Sequence, residues 1–281
     1  MTTIFDGMDA VVDGYLNLTD TWAGIAPRYR HRATILDLTK TPPSFGATNL
    51  IDGLLDCSRS AWSAADEAQH HCRSKENWRS RKCLGYGDEN LSLEVVLERL
   101  LVGVSDDSWW NQVPVDSGVL DSDGRRHIDL VQKEGENFSI IELKWNANTP
   151  LSAAIQVIQY GVAYIFFRRF VLARLLRDTG SDVSPAIMTA NKLDLVVLAP
   201  AAYYDGFRAS PSWLESFERQ LNQDLVQSEG RQSIGIPMSF RFESFPPDFS
   251  WSLEVAADPT RHGEVSRALK QRSRLFAPTA A

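Results

Sequence analysis

The stretch Arg125 to Trp145, RRHIDLVQKEGENFSIIELKW, constrains this chain more than any other. Two strand-like runs, Arg125 to Lys133 and Asn137 to Trp145, flank a tight turn at Glu134-Gly135-Glu136-Asn137, which predicts an antiparallel hairpin. A turn centred on Gly135-Glu136 sets Val131 opposite Ile140 and Asp129 opposite Glu142. Side chains alternate with period two along a strand. Ile128, Leu130, Ile141 and Leu143 therefore fall on one face, which is wholly apolar and expected to be buried. Asp129, Glu142 and Lys144 fall on the other, with His127 opposite Lys144.

Opposed carboxylates on neighbouring strands lie about 5 Å apart. At an effective dielectric near 20 their repulsion is roughly 3 kcal/mol, so a sheet gains no stability from the pair. A divalent cation turns that repulsion into coordination. Lys144, two residues along on the same face, balances charge and is placed to hold a water or hydroxide. Paired carboxylates, a cation and an ammonium suit phosphodiester hydrolysis, in which the metal activates water and the ammonium orients it or steadies developing charge. Acidic residues on strand faces are common, and the pair gains weight from its flanks. The preceding helix offers Glu94 and Glu98, one turn apart on one face. The following helix offers Gln156, Gln159 and Tyr160, clustered by spacings of three and four.

Those flanks emerge from the periodicity. Asn90 or Ser92 is placed to cap a helix through LEVVLERLLVG, stopped near Gly103. Trp109 to Val115 reads as a strand, a long helix follows Pro150 to about Arg177, and Lys192 to Ala199 reads as a buried strand. Upstream, residues 1 to about 45 read as loops with one short helix, and Asn49 to about His71 as a helix whose apolar stripe Ser58 interrupts. Gly85 and Gly87 look like a hinge. Downstream, 211–229 reads as helix, 234–245 as extended, and 260–275 as a basic helix.

Composition narrows the class. The chain has 281 residues, 43% hydrophobic and 23% charged, with a formal charge of −7. These values exclude disordered and collagen-like chains, and an acidic chain is no generic polyanion binder. Three cysteines (Cys57, Cys72, Cys83) are too few and too widely spaced for a secreted disulfide scaffold; His70 and His71 beside Cys72 are weak grounds for zinc. An acidic N-terminus unlike a signal peptide, and an apolar stretch broken by Arg168 and Arg169, lead us to expect a cytoplasmic protein with no membrane span. Nucleotide-binding glycine loops, HExxH and GxSxG are absent from the sequence.

At this point the segment RRHIDLVQKEGENFSIIELKWNANTPLSAAIQVIQYGVAY resembles the core of the PD-(D/E)xK nuclease superfamily. There a strand aspartate, here Asp129, precedes a strand bearing Glu-x-Lys, here Glu142-Leu143-Lys144. The usual proline is replaced, since His127-Ile128 precedes Asp129. The family's exonuclease-like branch carries Gln-x-x-x-Tyr on the next helix, matched by Gln156 and Tyr160. The resemblance covers roughly 110 residues. It implies an α/β restriction-endonuclease-like core over 85–200 (helix, three strands, helix, strand, forming a mixed central sheet flanked by helices). Residues 1–84 would form an N-terminal helical and loop extension, and 201–281 a C-terminal α+β extension.

The resemblance also implies a metal-dependent deoxyribonuclease using Mg²⁺ or Mn²⁺. Asp129, Glu142, the Leu143 carbonyl and Glu94 (with Glu98 as alternate) would ligate the metal. Lys144 would position the attacking water, and Gln156 and Tyr160 would organise the lysine or contact the strand being cut. DNA is the expected partner, with RNA not separated from it, and double-strand cutting would call for a homodimer. Basic residues Arg28, Arg30 and Arg32, the run Arg73 to Lys82 around Trp78, and Arg261 to Arg274 are candidates for gripping phosphate, with Trp78 stacking a base. His127, Asp116 and Asp121 are weaker candidates for the site. Two rival expectations remain: a nuclease-fold module that binds without cutting, and a structural protein whose acidic face is merely solvated.

Overall fold

The computed structural model describes residues 3–18, 28–30, 45–64, 77–85, 92–115, 126–146, 148–179, 185–205, 213–231 and 233–277. Its architecture is α/β: a six-stranded mixed sheet with helices on both faces. The strands are β1 (Trp109–Val115), β2 (Arg126–Glu134), β3 (Asn137–Leu143), β4 (Lys192–Pro200), β5 (Met238–Phe245) and β6 (Ser273–Arg274), and they lie side by side in that order. β1, β2 and β3 form an antiparallel meander, β3, β4 and β5 run parallel, and β6 closes the edge antiparallel to β5. Two strands of the one sheet, β5 and β6, thus come from the region downstream of residue 200, the span of the expected C-terminal α+β extension.

The helices are α1 (Met8–Tyr15), α2 (Leu50–Ala64), α3 (Leu93–Gly103), α4 (Pro150–Phe166), α5 (Leu172–Thr179), α6 (Trp213–Gly230), α7 (Leu253–Ala257) and α8 (His262–Lys270). A π-helical turn, Phe167–Val171, joins α4 to α5. The basic helix expected over 260–275 is shorter than that: after α8 the chain straightens into β6. On one face, α1, α2, α4 and α6 bury the side chains of Phe138, Ile140, Leu193, Leu195, Phe240 and Phe242. On the other, α3, α7 and α8 cover Leu130, Ile141, Leu143, Val196, Leu198 and Phe245. Because both faces are covered, β4 reads as a continuous apolar run.

Local chemistry explains the helix that matters most. Thr149 caps α4, its hydroxyl accepting from Ser152 N at 3.2 Å, and Pro150 occupies the first turn; such a cap stabilises a helix by about 1 kcal/mol. Among the described residues, Pro150–Val171 is the one helical stretch long and apolar enough to cross a bilayer, and 89% of its apolar window is buried inside the protein. Gly161 lets α4 approach the sheet closely, for a Cβ there would lie 2.7 Å from Leu195 Cδ1.

Three sequence expectations change. Ile128 packs with the α4 layer rather than beside Leu130. The alternation breaks where Gln112 of β1 takes a left-handed φ of 51°; Gln112 and Asp129 lie between the bridged pairs Asn111–Leu130 and Val113–Ile128. Trp78 is no base-stacking platform: it is fully buried against Tyr164 and Phe167. The apolar run around Phe166, Phe167 and Phe170 is most simply core, yet Phe170 is 47% exposed. Ser58, which breaks the apolar stripe of α2, is buried and donates its hydroxyl hydrogen bond to Ile4 O at 3.0 Å.

Candidate active site

The hairpin register is the expected one, with Leu130 opposite Ile141 and Glu134 opposite Asn137. Continuing it places Asp129 beside Glu142, and the Asp129 carboxylate accepts a hydrogen bond from Leu143 N at 3.0 Å. Glu142, in phase with Phe138 and Ile140, points to the α4 side and is 0% exposed. Lys144 extends past the end of β3, where its N–H donates to Leu198 O at 2.9 Å.

The Lys144 ammonium gathers three carboxylates. It lies 2.6 Å from Glu142 Oε1, 3.1 Å from Glu94 Oε1 and 4.0 Å from Asp129 Oδ2. Glu94 comes from the first turn of α3, which Ser92 caps by accepting from Val95 N. Its second oxygen accepts from Trp145 N at 3.0 Å, tying α3 to the end of β3. Despite the short ion pair, neither Glu142 oxygen accepts a well-oriented hydrogen bond.

Three acids around one base leave the cluster net negative and desolvated, and its titration follows. Burial pushes the Asp129 carboxyl up to about 6, with Glu94 adding to the rise while Lys144 and the Leu143 N–H oppose it. Burial and the charge of Asp129 hold Glu142 well above the usual carboxylate range. Burial alone would lower the Lys144 ammonium, but Glu142, Asp129 and Glu94 together raise it, so the lysine stays charged at neutral pH.

Glu98 occupies a different place from Glu94. It is buried between β1 and α3, accepting from Asn111 Nδ2 at 2.8 Å and Gln112 Nε2 at 2.7 Å. Burial and then the charge of Asp129 push it up to about 8. Glu94 is therefore the helix carboxylate that meets Lys144, and Glu98 forms a second layer behind Asp129.

The α4 residues line a cleft of about 310 Å³ with Tyr29, Arg30, Arg126, Asn148 and Ser152. Gln156 Nε2 donates to the Tyr160 hydroxyl at 3.3 Å, and Gln159 Oε1 accepts from Arg126 at 3.1 Å. Burial, and next the charge of Glu142, raise the Tyr160 phenol, which ties this cleft to the acidic cluster. A second cleft of about 460 Å³, lined by Trp145, Asn148, Tyr203 and Trp251, adjoins it.

The basic candidates fare unevenly. Arg272 is engaged by Glu243 at 2.9 Å and lies over Trp109, Arg261 pairs with Glu264, and Lys82 pairs with Asp107. Arg30 pairs with Asp9 at 3.1 Å yet lines the first cleft. His127 is half-buried on β2. Arg32, His70, His71, Cys72, Arg73, Lys75, Asp116 and Asp121, and the Arg28 side chain, lie outside the described residues. Cys57 and Cys83 are free thiols. Sequence reasoning missed Arg126, Asn111 and Gln112. Arg126 stands three residues before Asp129, but nothing in a single sequence separates it from its neighbour Arg125.

As to metal, among the described residues no three His, Cys, Asp or Glu side chains are arranged as a ready-made cage; the ammonium itself stands among the acids. The donor set nevertheless fits a hard divalent cation: carboxylate oxygens only, with neither oxygen of buried Glu142 in a well-oriented hydrogen bond. Comparison with protein-family models, curated proteins and solved structures finds no match to this chain.

Proposed function

We propose that this chain is a divalent-metal-dependent nuclease, built on a restriction-endonuclease-like core, that hydrolyses phosphodiester bonds in DNA. One observation carries the reading: a fully buried glutamate, ion-paired to Lys144 at 2.6 Å but with neither oxygen in a well-oriented hydrogen bond, lies against a second carboxylate, and its charge reaches Tyr160 in the lining of a polar cleft. Burying that charge is costly unless something binds it.

Asp129, Glu142, the Leu143 carbonyl and Glu94 would hold Mg²⁺ or Mn²⁺. The bound ion would supply Lewis acidity at the phosphate and lower the pKa of water. Lys144, charged and anchored by Glu94, would orient the attacking water and balance charge that builds on the phosphoryl oxygens. Glu94 would fix the ammonium through one oxygen and the chain after β3 through the other. Tyr160 and Gln156, hydrogen-bonded to one another, would border the strand at the reacting phosphate.

A second reading draws on the central position of Lys144. An ammonium satisfied by three acids is also a self-contained ion cluster, which would leave a fold that binds without cutting. The deciding experiment incubates purified protein with closed circular and linear DNA in Mg²⁺ or EDTA, beside Lys144→Ala. Mg²⁺-dependent cutting lost in the variant supports the nuclease. Binding without cutting supports the module, and equal cutting by the variant sinks the assigned site.

A further inference from the structure

We infer that Arg126 and the cleft around it form a dedicated subsite for a phosphate of the nucleic-acid strand, adjoining the acidic cluster. The inference rests on the nuclease reading and deepens it by naming where the strand is gripped.

Arg126 opens β2, with its guanidinium 3.9 Å from the centre of the Phe5 ring and donating to Gln159 Oε1 at 3.1 Å. Both contacts fix the plane of the guanidinium without neutralising it. Among the described residues no carboxylate pairs with Arg126, although nearly every other arginine that is partly buried has an anionic or carbonyl partner. A desolvated cation held in place and left uncompensated is costly on its own, and an incoming anion offsets that cost.

The surroundings suit an oxyanion. The cleft presents the side chains of Ser152, Gln156, Asn148 and Tyr160 beside Arg126, all hydrogen-bonding groups, and among the described residues no carboxylate lines it. Arg30, which also lines it, is paired with Asp9, whose charge reaches Arg126 without forming an ion pair with it, so among the described residues Arg126 is the cleft cation with no direct carboxylate partner. Tyr160 lies in the field of Glu142 and Asp129 and also of Arg126. A phosphate on Arg126 would therefore sit next to the position expected for the bond being cut. A guanidinium with its plane fixed suits phosphate oxygens better than a mobile ammonium.

The test measures binding of a fluorescein-labelled oligothymidylate to the full chain by anisotropy across a salt series, in Ca²⁺ buffer. The oligonucleotide carries either a 5′-phosphate or a 5′-hydroxyl. Two variants are compared with the unaltered protein: Arg126→Gln, and Ser152→Glu, which places a carboxylate at the cleft. Ser152→Glu also completes a Thr149-x-x-Glu capping box, which favours α4 and keeps the test valid if Arg126→Gln folds poorly. Each folded variant is expected to bind about tenfold more weakly, with the slope of log K against log salt reduced by about 0.7 for Arg126→Gln. A 5′-phosphate preference that Arg126→Gln abolishes assigns the subsite to a terminal phosphate; equal loss on both oligonucleotides assigns it to the internal backbone. Folded variants that bind like the unaltered protein overturn the subsite and leave the nuclease reading standing. Absence of binding by the unaltered protein overturns both.

Discussion

The Lys144 ammonium lies 2.6 Å from Glu142 Oε1 inside the protein, where Glu142 has no exposure and Lys144 only 4%. Glu142 lies near the end of β3 and Lys144 one residue past it, and the two-residue spacing carries strand alternation far enough to turn both side chains the same way. The lysine stays charged because Glu94 and Asp129 join Glu142 around the ammonium. Buried ion clusters of this kind are sensitive to which member is removed.

Lys144→Met leaves three carboxylates with no counter-ion. Its unfolding free energy in urea, measured in EDTA, is expected to fall by about 3–5 kcal/mol. An unchanged denaturation curve would mean that the acids are solvated and the cluster is not a buried unit.

Glu142→Gln acts in the opposite sense. It removes the most deeply buried of the repelling charges, so the metal-free protein is expected to gain on the order of 1 kcal/mol. Under the nuclease reading the same variant loses cutting by about 100-fold or more, together with any rise in melting temperature that Mg²⁺ gives the unaltered protein. A variant that is both less stable and still stabilised by Mg²⁺ would count against coordination by Glu142.

The acids whose pKa burial raises set a pH dependence. Asp129 is pushed up to about 6, Glu218 to about 7 and Glu98 to about 8, each above its ordinary carboxyl value. A raised folded pKa means that the folded protein binds more protons than the unfolded chain between the two values. The stability from these groups is therefore complete below the ordinary carboxyl range and is lost as pH rises through the folded values. The urea midpoint in EDTA is expected to fall from about pH 5 to about pH 8, and Glu98→Gln should flatten the upper end of that fall. A midpoint that rises over this window would show that these carboxyls are ionised in the fold.

Gly161→Ala tests how closely α4 must approach the sheet. The new methyl would meet Leu195 Cδ1 at 2.7 Å and Cδ2 at 2.9 Å, with Met238 Cε at 3.2 Å. Leu195 is fully buried, so it has little room to yield. A loss of about 1–3 kcal/mol in unfolding free energy is expected. Since Tyr160 is the neighbouring residue, a shift of α4 should also weaken oligonucleotide binding.

Much of the site was legible because it depends on short-range geometry. The turn at Gly135, φ 63°, takes a backbone conformation suited to glycine, and it fixes the β2–β3 register that puts Asp129 beside Glu142. Thr149 and Pro150 mark the start of α4 in the same local way, and spacing along that helix places Gln156 next to Tyr160. Trp78 was misread because a tryptophan among basic residues carries the same local pattern whether it stacks on a ligand or fills a core. β6 was missed because two residues hold no period, and only β5 gives them a partner.

Local rules thus determined the hairpin, its acidic edge, the caps and the order of helix and strand, since each is set by neighbours a few residues apart. The tertiary structure alone decided which of Glu94 and Glu98 meets Lys144, because that turns on how α3 lies across the end of β3. It also decided that strand alternation breaks at Gln112 and Asp129, a strained conformation of about 1 kcal/mol or more that packing on both faces must hold. Finally, it left Arg126 beside a polar cleft with no carboxylate partner among the described residues, because charge compensation depends on contacts between segments far apart in the chain.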